Sequence, residues 1–159
     1  MAVDAVVLAG DRAAARLLYG TNKAFLRLRD KPLLSYVVSA LDRSDQVRSI
    51  HIVGPCDKLR ELLSEFKYNK LAAYIEQGEN VFQNIWYGSL HTFPEYERGS
   101  DYQALQNSSE ADKTVLLCTC DTPLIEPAEI NHYITNARMN ECDFCIGITA
   151  KELLLPFVP

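Results

Sequence analysis

The sequence predicts an α/β protein: a mainly parallel sheet covered by helices on both faces, in a three-layer α/β/α, doubly wound and Rossmann-like arrangement. Three observations carry that expectation. Apolar runs of strand length alternate with amphipathic stretches of helix length. The runs are apolar on both faces, as strands buried between two helical layers must be. The first run, VVLAG, breaks at Gly10, where such a sheet hands the chain to a loop on its ligand-facing edge.

Strands are expected over residues 4–9, 49–53, 72–76, 114–119 and 143–149. Helices are expected over 33–41, entered through Pro32, and over 58–66, 80–92 and 127–139. The first strand should lie inside the sheet. Right-handed crossovers then bring the loops holding Gly10, Gly78 and Asp121 to one edge, despite their separation in the chain. The polar stretch GSDYQALQNSSEADK, 99–113, reads as a mobile surface excursion. No composition shift marks a second domain, so residues 1–159 read as one domain with one insertion.

Composition narrows the function. With 48% hydrophobic and 23% charged residues the chain has the make-up of a soluble globular protein. A net charge of -5 gives no global attraction for nucleic acid or an anionic membrane, so neither is expected as a partner and any anion site must be local. Asp4 interrupts the first apolar stretch, no basic leader precedes it, and no apolar run is long enough to span a bilayer, which points to the cytoplasm. Five cysteines, an odd set, fit a reducing compartment. Cys118 and Cys120, or Cys142 and Cys145, could be imagined as zinc ligands, but Cys118 and Cys145 fall in runs that read as buried strands, where a thiol acts as a small hydrophobe.

The densest basic segment follows Gly10: Arg12, Arg16, Lys23, Arg27, Arg29 and Lys31 against Asp11 and Asp30. Gly10 permits the close backbone approach that a phosphate-facing loop needs. Asp11 is an unusual neighbour for an anion. Arg27 to Lys31 read as solvated surface, whereas Lys23 stands just before AFLRL, where the chain should return to the sheet. No Gly-Lys-Ser/Thr opens a helix here, so this is no Walker A loop, and a single glycine excludes the dinucleotide fingerprint. Asp121 closes the fourth strand in VLLCTCDTPL, at the edge where a hard carboxylate oxygen could hold Mg2+ beside substrate phosphates; the bland alternative is a cap for the helix that follows.

Leu8-Ala9-Gly10, Lys23 and Lys31-Pro32-Leu33-Leu34 resemble the amino-terminal signature of nucleotidyltransferases with the glycosyltransferase-A-like (nucleotide-diphospho-sugar transferase) fold. That superfamily includes the MobA-like NTP transferases, among them molybdenum cofactor guanylyltransferase, and the sugar-1-phosphate and isoprenoid cytidylyltransferases. The resemblance continues at Gly78, Asn84 and Gly88, which follow the spacing of a base pocket, and at Asp121-Thr122-Pro123-Leu124, which follows the metal loop. Two departures stand out. Asp11 replaces the second glycine of the signature, and the stretch 13–21 is longer and lacks the Arg-Met-Gly core, which leaves open whether Arg12 or Arg16 takes the family arginine's place.

The resemblance implies transfer of a nucleoside monophosphate from CTP or GTP to a phosphorylated small-molecule acceptor, with release of pyrophosphate. It implies Lys23 with Arg12 or Arg16 on the phosphates, Mg2+ on Asp121, and Leu8, Ala9, Gly10, Gly78 and Asn84 around the nucleotide. The acceptor nucleophile is already ionised, so His51, His91 and His132 need no catalytic role. A second metal-binding carboxylate and much of the acceptor pocket would come from beyond the fifth strand, so the chain reads as the nucleotide-binding portion of a larger enzyme. The alternative is a nucleotide-binding or scaffold module of the same fold without turnover.

Overall fold

A computed structural model describes residues 2–11, 13–96, 105–140 and 143–147. In chain order the elements are β1 (Val3–Leu8), α1 (Ala13–Tyr19), a 3-10 turn (Lys23–Phe25), the two-residue strands β2 (Arg27–Leu28) and β3 (Lys31–Pro32), α2 (Leu33–Arg43), β4 (Val47–Gly54), α3 (Cys56–Leu62), β5 (Leu71–Glu76), α4 (Val81–Leu90), β6 (Val115–Thr119) and α5 (Pro127–Met139). The main sheet has the order β5-β4-β1-β6 and is parallel throughout, with β1 inside it.

Winding follows from which faces are apolar. Val3, Ala5 and Val7 of β1 join Leu34, Val37, Val38 and Leu41 of α2, Leu59 of α3, and Ile130 and Ile134 of α5 in one core. The alternate residues of β1 point the other way, and Val6 packs with Val53 and Ile75 beneath α4. The chain thus steps from β1 to β4 to β5 along one face and returns to β6 across the other. Its direction reverses between β1 and β6, the place where a doubly wound sheet opens a crevice.

Local sequence explains the helices. The buried α2 residues recur at i, i+3, i+4 and i+7, and Pro32 starts the helix at the one point where a missing N–H is harmless. Asn80 caps α4 by accepting from the Gln83 N–H at 3.0 Å. Pro127 begins α5, and Glu129 reaches back to the Glu126 N–H at 2.8 Å. Gly88 lets α4 sit on the sheet: a Cβ there would stand 2.3 Å from Val6 Cγ1. It serves helix packing and does not face a base pocket.

Four expectations need correction. Residues 13–19 form a short helix, α1, with Leu17 and Leu18 exposed; apolar residues left in solvent give no buried face to read. AFLRL does not rejoin the sheet, because Arg27 and Leu28 pair with Lys31 and Pro32 in a hairpin turned by Arg29 and Asp30 at positive φ. Of the strand expected over 143–149, residues 143–147 are not a strand: Phe144 and Ile146 are exposed, as is Cys145, whose carbonyl accepts from the Tyr133 hydroxyl and finds no ladder partner among the described residues, while 148–149 lie outside them. Finally, 105–113 is anchored, with Leu105 buried and Glu110 and Lys113 tied to the sheet; residues 99–104 lie outside the described residues.

Candidate functional site

Register alone brings three loops together. Leu8 pairs with Thr119, so Gly10 and Asp121 each lie two residues beyond the same rung of the ladder. Gly54 pairs with Glu76, which sets Gly78 two residues past the same edge. The loops then interlock. Asn84, buried at the start of α4, accepts the Gly78 N–H at 2.7 Å, and a Cβ on Gly10 would collide with Asn84 Nδ2 at 2.5 Å. Gln77 Oε1 accepts the Asp11 N–H at 2.6 Å. A side chain at position 10 would have to displace the Asn84 amide that holds the Gly78 N–H.

Lys23 and Asp121 meet across the switch point. Lys23 Nζ lies 2.8 Å from Asp121 Oδ2, with the side chains 41% and 33% exposed. The hydrogen bond from Lys23 holds the Asp121 carboxyl below the usual carboxylate range, and Asp121 in turn raises Lys23. What places Lys23 is Asn22, a residue that sequence reasoning missed. Buried Asn22 donates from Nδ2 to the Ala9 carbonyl and accepts the Ala24 N–H, both at 2.9 Å, which pins the 3-10 turn to the end of β1. The signal was there in the sequence, an asparagine directly before a turn. Asp121 does not cap a helix, since α5 begins at Pro127 behind Glu126.

Arg16, in α1 between Gly10 and Lys23, is engaged. Its Nε donates to Asp11 Oδ1 at 2.8 Å and Nη2 to Asp11 Oδ2. That fork holds the Asp11 carboxyl below its usual range, and Lys58 adds positive charge nearby. Arg12 lies outside the described residues. Leu8 ends β1 and Ala9 follows it, with both polar groups of Ala9 spent, its N–H on the Val53 carbonyl and its C=O on Asn22. Of the expected residues, Gly10, Gly78, Asn84, Lys23, Asp121 and Arg16 share the edge; Leu8 and Ala9 support it from within the sheet.

The donor set suits a magnesium ion carried largely by its substrate. Among the described residues no three His, Cys, Asp or Glu side chains converge on a metal-sized site. Asp121 is a half-exposed hard oxygen donor, and Mg2+ is commonly held by one or two carboxylates with phosphates and water completing the shell. The histidines are engaged elsewhere: His51 with Ser49, His91 with the Tyr87 carbonyl, His132 with Asn136. Burial pushes the Cys118 thiol up to about 12, as suits a thiol packed as a small hydrophobe. Cys142 lies outside the described residues.

Residues 5–158 match the MobA-like NTP transferase domain. The chain belongs to that family. The MobA-like domain is 32% identical over 91 residues to 2-C-methyl-D-erythritol 4-phosphate cytidylyltransferase of Geobacillus kaustophilus, a stretch that makes up 55% of this chain and 40% of that enzyme. The chain therefore spans well under two thirds of the curated relative. Among solved structures it resembles 4-diphosphocytidyl-2C-methyl-D-erythritol synthase of Anaerococcus prevotii, with a TM-score of 0.57 and 12% identity over 95% of this chain and 60% of that one. It also resembles CMP:2-keto-3-deoxy-manno-octonic acid synthetase complexed with CTP, with a TM-score of 0.56 and 13% identity over 87% and 48% of the two chains. These likenesses establish the α/β nucleotidyltransferase fold.

Proposed function

We propose that this MobA-like domain is the nucleotide-binding part of a Mg2+-dependent nucleotidyltransferase that moves a nucleoside monophosphate from a triphosphate to a phosphorylated small molecule. One observation carries the reading: Lys23 and Asp121, 98 residues apart in the chain, pair at the crevice where the sheet reverses direction. CTP is the first candidate, because the Geobacillus relative is a cytidylyltransferase; GTP is the second. The acceptor-binding portion is proposed to lie in further chain, in keeping with the 40% of that relative which is matched. A cytoplasmic setting fits the free thiols of Cys56, Cys118, Cys120 and Cys145, and no helix among the described residues is long and apolar enough to cross a membrane.

The chemistry needs little beyond charge and alignment. An acceptor phosphate oxygen attacks the α-phosphorus in line, the α–β anhydride bond breaks, and pyrophosphate carries the electron pair away. The nucleophile is ionised near neutral pH, so no general base is required. Lys23 exchanges Asp121 for phosphate oxygens and neutralises the charge that builds on the departing pyrophosphate. Arg16, or Arg12, clamps the outer phosphates. Asp121, relieved of Lys23, would hold Mg2+, which would supply further neutralisation of the phosphate charge. Gly10, Gly78 and Asn84 form the wall against which the nucleoside lies.

In a thermal-shift titration, CTP with Mg2+ raises the melting temperature with concentration, and more than GTP does. Lys23→Ala removes most of the gain, whereas Arg29→Ala, at the remote hairpin tip, keeps it. Equal losses in both variants would show diffuse electrostatics and refute the site. The second reading, a binding module without turnover, is favoured by the engagement of both described loop cations with carboxylates. It would give the thermal shift with no pyrophosphate release.

A further inference from the structure

A carboxylate in an anion-binding loop should repel its ligand, and the reaction outlined above makes no use of Asp11. Yet Asp11 is built into the loop, with its side chain only 5% exposed. Arg16 grips it with two N–H groups, the planar fork that arginine also offers to a phosphate. Lys58 lends the same place a second positive charge. The loop N–H of Asp11 is held by Gln77 Oε1 at 2.6 Å, and the ammonium of Lys23 by Asp121 at 2.8 Å. Each of these donors already holds an oxygen of the protein itself.

We propose that Asp11 is an intramolecular phosphate surrogate: in the nucleotide-free protein its carboxylate occupies the guanidinium fork of Arg16, and a phosphate group of the incoming nucleotide takes its place. This rests on the nucleotide-binding reading of the edge. The exchange is anion for anion and makes or breaks no covalent bond. It is accessible from solvent, because the Arg16 side chain is 60% exposed. Two things follow. The fork stays aligned when empty of nucleotide, and Asp11, once displaced, stands beside a polyanion and weakens its binding. Asp11 thus sets how much negative charge a ligand must carry to enter: a triphosphate displaces it, and a nucleoside does not.

The sign of one substitution separates this from a purely structural role. Inorganic tripolyphosphate, titrated calorimetrically at low ionic strength, binds Asp11→Asn and Asp11→Gly about tenfold more tightly than wild type, since a like charge has been removed from the site. Were Asp11 merely a prop for Arg16, both variants would bind more weakly or unchanged, and either result overturns the proposal. The double variant Asp11→Asn/Arg16→Met binds no tighter than Arg16→Met alone, because the gain acts through the fork; a surviving gain overturns it. If the Asp11 variants fail to fold, the wild-type protein still decides: the Arg16 Nε–H resonance shifts on adding tripolyphosphate, and a resonance unmoved at saturation sinks the surrogate. Should Lys23→Ala abolish binding while Asp11→Asn changes nothing, the surrogate falls and the nucleotide-binding reading stands. If Lys23→Ala leaves binding intact, that reading falls and takes the surrogate with it.

Discussion

At the amino end of β1, Asp4 is 2% exposed and accepts from Arg48 at 2.9 and 2.7 Å, from the Ser49 hydroxyl at 2.7 Å, and pairs with Lys113 at 3.1 Å. Glu110 joins Arg48 and Lys113 in turn, at 3.0 and 2.9 Å. At the carboxyl end the same residue types meet in simpler company: Asp11 with Arg16, and Asp121 with Lys23. Burial alone would raise the pKa of Asp4, yet its hydrogen bonds from Arg48, Ser49 and Lys113 outweigh it and hold the carboxyl far below its usual range. Removing Asp4 from such a cluster leaves Lys113, 11% exposed, one carboxylate short with little solvent to replace it. Opening the Lys23–Asp121 pair strands nothing, because water reaches both groups. Partner number, joined by solvent access at Lys23–Asp121 and at the Arg16 side of its pair with Asp11, therefore separates a charge cluster that anchors the 105–113 segment from pairs that can be exchanged for a ligand.

The sharpest way to break this comparison is Asp4→Ala, which should cost about 3–5 kcal/mol of unfolding free energy in urea, whereas Asp121→Ala should cost less than about 1 kcal/mol. Equal losses would mean that the two ends of the sheet do not differ in kind. Next in size is the catalytic effect. In the full enzyme, pyrophosphate release from Asp121→Asn should fall by about a hundredfold or more, with little change in thermal stability, as expected on removing one electrostatic contributor to a transition state. Full activity with Mg2+ would return Asp121 to an ordinary turn residue.

Asn22→Ala sharpens the comparison by asking what holds Lys23. It leaves the Ala24 N–H without its acceptor and should destabilise by about 1–2 kcal/mol, read from chemical denaturation, while weakening nucleotide binding in parallel. A stability loss with unaltered binding would show that Lys23 needs no clamp.

The smallest effect is in the pH profile. Asp4 has a folded pKa below its ordinary 3.8, so the unfolded chain takes up the proton first. Stability is therefore present above pH 3.8 and is lost as pH falls through the folded value. His51, lowered from 6.5 chiefly by burial, adds a shallower loss that begins as pH drops from 6.5. Urea midpoints measured from pH 7 downward should show both limbs, and Asp4→Ala should flatten the acid one.

Much of the fold was legible because its signals are local. The period of apolar residues marked α2 and α5 closely, and two-sided apolar runs marked the four strands of the main sheet. The short helix α1 escaped because Leu17 and Leu18 lie in solvent and mark no buried face, and 143–147 misled because its apolar alternation finds no ladder partner among the described residues. The 105–113 segment looked free because its polarity was read as solvation, when Lys113 in fact pairs with the buried Asp4 and Glu110 with Arg48 and Lys113.

By itself the sequence determined that strands and helices alternate, that the first strand ends at a glycine, and that Asp121 lies just past a strand end. Each of these depends on residues within a turn or two of one another, where backbone preference and apolar period suffice. Only the tertiary structure decided the partners: that Lys23 faces Asp121, that Asn22 fastens Lys23 to Ala9, that Gln77 takes the loop N–H, and that Arg16 closes on Asp11. Those contacts depend mainly on the order of the strands in the sheet, set by burial summed over the whole core, and on which side chain's charge is left for another to meet.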